Sequence, residues 1–90
     1  SDAELEQDGV NPVMHIMMHA SLEGELAENT PPVTGEVLEA LMAQGLSRHE
    51  ALHRMGGPLA DEIYGVLKEL RTFDAAGYER KMRQLLSGEA

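Results

Sequence analysis

The chain of 90 residues has no cysteine, which excludes disulfides, thiolate metal sites and iron–sulfur clusters. It has no tryptophan, and only Phe73, Tyr64 and Tyr78 are aromatic. A core of Leu, Met, Ile, Val and Ala, with six methionines in the chain, suits packed helices better than a sheet. Positive charge is scarce: 7 Lys and Arg stand against 16 Asp and Glu, for a net charge of −9. That balance argues against nucleic acid and anionic membrane as partners. No apolar run approaches the roughly 18 residues of a membrane-spanning helix. The opening "SDAELEQDGV" lacks the basic stretch and apolar core of a secretory signal. A cytoplasmic location is expected.

What is present reads as a small all-α bundle of four helices joined by short loops. Residues 1–10 are acidic and weakly periodic, an N-terminal arm before a single helical domain over 11–90. Asn11 as N-cap and Pro12 at the first helical position open a helix running to about Ala27. Val13, Ile16, Met17 and Ala20 form its expected apolar face, with Leu22 and Leu26 weaker candidates. "ENTPPVTGE" is a break, and Thr30 or Thr34 could cap the next helix, "GEVLEALMAQG", which Gly45 should stop. Ser47 and Glu50 have the spacing of a capping box at the start of a third helix. Its apolar stripe runs Leu52, Met55, Leu59, Ile63, Val66, Leu67 and Leu70. Pro58 lacks an amide hydrogen and crowds the carbonyl four residues earlier, so a kink or brief break is expected near Gly56-Gly57-Pro58. Asp74 is the expected N-cap of a last helix carrying Tyr78, Met82, Leu85 and Leu86.

The four histidines fall as two pairs, His15 with His19 and His49 with His53. Each pair is spaced i, i+4 on an expected helix, so its rings share one face. Imidazole is the commonest protein metal ligand, and two such pairs on facing helices supply four donors. Glu23 extends the first pair by one turn, and Glu50 with His53 forms the Glu-x-x-His unit of di-metal bundles. The candidate metal ligands are therefore His15, His19, His49 and His53, with Glu23 and Glu50 as additions. Zinc, nickel or iron suits this donor set. The plainer reading is that such pairs are half-buried structural histidines, and the setting of Ile16, Met17 and Met18 suits a half-buried face.

"HEALH", residues 49–53, has the letters of a zinc-peptidase helix, in which a glutamate serves as general base. Gly56 also matches the longer form of that motif, but Leu59 stands where its third histidine belongs. A third ligand would have to come from Asp61, Glu62, Glu69 or the first helix. The capping box already explains Glu50. Peptidases commonly present substrate along a sheet edge, and no segment here reads as a strand. The zinc-hydrolase reading therefore ranks last. Ser21 and Ser47 lack a nucleophile motif, and no phosphate-binding glycine loop is present. Arg80, Lys81 and Arg83 read as a solvated face near a helix C-terminus, and Asp61 and Glu62 as surface charges, although Asp61 lies two turns beyond His53. Met14, Met17 and Met18 read as core or dimer contact.

"NPVMHIMMHASLEGELAENTPPVTGE" followed by "LSRHEALHRM" resembles small bacterial proteins grouped as domain of unknown function 1841. The residues that carry the likeness are Asn11, Pro12, His15, His19, Pro31, Pro32, His49, Glu50, Ala51, His53 and Tyr78, within roughly residues 11–86. The resemblance implies a helical fold and brings no established activity. Gly56-Gly57-Pro58 looks like a departure from the family pattern. Two functions follow as expectations: a small metal-binding bundle, or a homodimeric interaction module whose histidines are structural.

Overall fold

The apolar spacing becomes four helices in the computed structural model, which describes residues 12–87. They are α1 (Pro12–Glu28), α2 (Pro32–Ala43), α3 (Arg48–Glu69) and α4 (Ala75–Gln84), followed by a 3-10 turn, Leu85–Ser87. No strand occurs among the described residues. None of the helices is long and apolar enough to cross a membrane. The expected arm at 1–10 and the Asn11 cap lie outside the described residues.

The connections follow from local chemistry. α2 begins at Pro32 with Pro31 as its cap, between the starts that a Thr30 and a Thr34 cap would give, because Pro31 enters in extended geometry and Pro32 already has the helical φ. Thr34 is consequently inside the helix and fully buried. At the other end Gly45 has φ +106°, and the Gly45 and Leu46 amides donate to the Met42 and Leu41 carbonyls. This is a Schellman stop, and a side chain at Gly45 would be strained there. α3 opens on the anticipated capping box: the Glu50 amide donates to Ser47 Oγ at 3.0 Å and the Ser47 amide donates to Glu50 Oε1 at 2.8 Å. α4 opens on Asp74, whose carboxylate accepts from the Gly77 amide.

Of the kink or brief break expected near Pro58 in α3, the break does not occur. The helix runs unbroken from Arg48 to Glu69 with Pro58 inside. Only one ladder hydrogen bond is lost to a proline, and burial compensates: Met55, Gly56, Pro58 and Leu59 are all buried.

α2 and α3 form the centre. α1 packs across both on one side and α4 on the other. The core draws Leu22 from α1, Val33, Val37, Leu38 and Leu41 from α2, Ala51, Leu52, Met55 and Leu59 from α3, and Tyr78 and Met82 from α4. Leu85 of the 3-10 turn closes it. Each fully buried Leu or Met contributes about 1.5–3 kcal/mol of burial free energy. Two apolar stripes are aimed differently from the sequence reading. On α1 the buried position is Leu22, with Met18 and Leu26 packed against the core, while Val13, Ile16 and Met17 face solvent. On α3 the stripe is buried only to Leu59: Leu67 is 70% and Leu70 90% exposed.

Candidate metal centre

His15 and His19 lie one turn apart on α1, and His49 and His53 one turn apart on α3. Because these helices pack together, the two pairs meet. The His15 and His19 ring centroids are 4.3 Å apart, edge to face. His19 and His49 are 6.2 Å apart and nearly parallel, so the contact crosses from α1 to α3. His53 joins the same group from the next turn: with His15 and His19 it lines a cavity of about 20 Å³, walled by Met18, Leu22 and Leu52. That volume accommodates one water-sized particle. His15 and His19 are half-buried, whereas His49 and His53 are exposed. The seam is thus apolar beneath and open above.

Electrostatics favour the ligating form at its centre. Burial lowers the His19 pKa below the ordinary 6.5, and positive charge on His15 or His49 lowers it further, with Glu23 opposing. A neutral imidazole keeps a lone pair for a cation.

The two glutamates have other partners. Glu23 receives a bidentate pair of hydrogen bonds from Arg48, at 2.7 and 2.8 Å, which lowers its pKa. The Glu50 carboxylate caps α3, and its pKa is lowered by the Ser47 amide and hydroxyl. The other candidates are the four imidazoles. In the present side-chain positions no group of three or more His, Asp or Glu among the described residues is disposed to hold an ion. Two imidazoles bound to one tetrahedral ion have ring centroids roughly 5 Å apart, from metal–nitrogen bonds of about 2.0 Å. The observed 4.3 and 6.2 Å bracket that value.

Two carboxylates, one buried and one half-buried, hold structural positions that sequence reasoning did not assign to them. Glu62, expected at the surface, is 2% exposed. It accepts from Arg71 Nη1 at 2.5 Å and Nη2 at 3.2 Å, and from the Asp74 amide at 2.6 Å. Arg71 and that amide hold the Glu62 carboxyl at about 2. The signal was its register: Glu62 lies seven residues after Met55 and three after Leu59, on the buried stripe. Gly65 leaves space for Arg71, whose guanidinium lies where a side chain there would begin. Glu25 is the second group. Its Oε1 accepts from Thr34 at 2.6 Å and Tyr78 at 3.0 Å, tying α1 to α2 and α4. Burial raises the Tyr78 pKa well above the usual phenol range, and the Glu25 charge adds to this. Asp61 does not join the histidines; it lines a separate cleft between α3 and α4.

Comparison with known proteins gives a family and adds no activity. Residues 2–84 match the family described as Domain of unknown function (DUF1841), and the chain belongs to that family. No curated protein matches the chain, and no solved structure does.

Proposed function

We propose that this member of the family is a small metal-binding helical protein in which His15 and His19 from α1 and His49 and His53 from α3 hold one divalent ion. The observation that carries the reading is the gathering of all four imidazoles at one helix seam, around a cavity lined by His15, His19 and His53. Binding requires the rings to turn toward a common point while the helices stay in place. Zinc, nickel or iron fits four nitrogen donors. Glu23 and Glu50 would serve as ligands only by leaving Arg48 and the helix cap. The hydrolase reading is weakened for the same reason, because the would-be base Glu50 is held by the Ser47 amide.

A second reading has its own observation. Val13, Ile16 and Met17 are 65%, 65% and 58% exposed on the first turns of α1, which favours a homodimeric interaction module. Metal analysis of tag-free protein, with melting curves with and without chelator, separates the two. A metal protein retains about one ion per chain, and saturation at about 100 times Kd stabilises it by about 2.7 kcal/mol. For a domain this size that is a melting shift on the order of 10 °C. Absence of both stoichiometric metal and any chelator response would reject the metal reading, and concentration-dependent mass would support the module.

A further inference from the structure

The chain is short of positive charge, yet two cations line one cleft with no close ion pair among the described residues. Arg48, Arg71 and Arg83 are each engaged by carboxylates, and Lys68 lies over the Tyr64 ring. Arg54, Arg80 and Lys81 form no close ion pair with a carboxylate among the described residues, although Arg54 acts on Glu50 at longer range; Arg54 and Lys81 are the two that share a cleft. They line one cleft of about 480 Å³, Arg54 from α3 and Lys81 from α4. This volume falls within the range of about 300–1,000 Å³ typical of small-molecule sites. Pro58 and Leu85, both buried, supply apolar wall, and Gln84 supplies an amide able to donate or accept. Asp61 stands two turns along α3 from Arg54 and is the one carboxylate in the lining. The lining therefore carries a net charge of +1 in a chain whose total is −9.

Helix geometry explains the juxtaposition. Arg54 and Asp61 are seven residues apart and share a face of α3, with Pro58 between them. Lys81 and Leu85 are four apart on the facing element. Gly57 keeps the wall low, since a Cβ there meets nothing within 4 Å. Lys81 also feels Glu62, whose charge Arg71 already balances.

We propose that the cleft between α3 and α4 is a binding site for a small organic anion. Arg54 and Lys81 hold a carboxylate or phosphate head, and its apolar body lies on Pro58 and Leu85. Asp61 tempers the site and disfavours dianions relative to monoanions. The site is distinct from the histidine seam and does not depend on metal.

The test is a titration of nitrogen-15-labelled full chain, followed by amide shifts, with phenylacetate, phenyl phosphate, inorganic phosphate and neutral phenylacetamide. At least one aryl anion should give saturable shifts at Gly57, Asp61, Lys81 and Gln84, and the tighter of the two identifies the head group. Inorganic phosphate should bind more weakly for want of an apolar body. Substituting Arg54→Gln with Lys81→Gln should weaken the better anion by about tenfold or more, equivalent to at least about 1.4 kcal/mol. Asp61→Asn should strengthen it, and Gly57→Leu, which fills the cleft but leaves both cations, should abolish it. No saturation by either aryl anion at about 10 mM, a concentration sensitive even to millimolar affinities, overturns the site. So does equal binding of phenylacetamide, or full affinity in the doubly neutralised chain.

Discussion

Two parts of α3 hold ionisable groups in opposite ways. Near its C-terminal end, Glu62 is enclosed and fully engaged: Arg71 and the Asp74 amide take up its oxygens, and no buried side-chain polar atom among the described residues lacks a partner. Near its N-terminal end, His49 and His53 meet His15 and His19 at a half-open seam around a small void. The first arrangement is what a fold requires of a buried charge, since an unpartnered one is costly. The second is not required by packing: Leu22, Leu52 and Met55 already fill the interior beneath it. Four titratable rings on a surface the core does not need are the better candidates for function.

The strongest way to sharpen this contrast is to remove Glu62. Glu62→Ala empties a buried site, leaves Arg71 only Glu69 and the Thr72 carbonyl, and frees the Asp74 amide, so it should give the largest drop in melting temperature of the changes named here, while His53→Ala in metal-free protein should change it little. Equal drops would erase the distinction between the two regions. The same contrast has a pH signature. The Glu62 carboxyl titrates near 2 in the folded chain against an ordinary 4.5, so the unfolded chain takes up protons first as pH falls. The stability it contributes is present above 4.5 and lost as pH drops from there toward about 2. His19 acts in a higher window: its folded pKa lies below 6.5, so stability falls as pH is lowered through 6.5. Denaturant titrations at stepped pH should show both slopes, with the upper one missing in His19→Gln.

Smaller effects probe the supports of each region. Tyr78→Phe removes one of the two hydroxyl donors to Glu25 and should cost about 1–2 kcal/mol in chemical denaturation. A loss near zero would mean that water replaces the phenol. Gly56→Ala should be nearly neutral in stability, because its new methyl meets only the end of the flexible Met18 side chain. Met18 and Gly56 both border the histidine void, so the same change should alter metal affinity. Unchanged affinity would separate the void from the metal site.

Much of the fold was legible in local chemistry. Ser47 with Glu50, Asp74 and Gly45 mark helix ends through hydrogen bonds that span only a few residues, and such bonds are readable from spacing. The break considered at Pro58 does not occur because the cost of one lost hydrogen bond is local, whereas the burial that offsets it comes from packing against other helices and is invisible in the sequence. The exposure of Val13, Ile16 and Met17 has the same origin: periodicity defines an apolar face but does not say which neighbour covers it. At the site, the i, i+4 spacing of His15 with His19 and of His49 with His53 gave the pairing within each helix. The contact of His19 with His49 depends on α1 packing against α3, and the engagement of Glu23 by Arg48, 25 residues away, could not be read from spacing. Glu62 was readable in principle, from a charge set in a buried register.

The central claim is that rings from both helices act on one ion. Zinc titration by calorimetry of the parent chain, His15→Ala, His53→Ala and the double variant tests it most directly. The account predicts one ion per chain for the parent, a large loss of affinity in each single variant, and little further loss when the two are combined. Loss confined to one of the two variants, or losses that simply add, would contradict it.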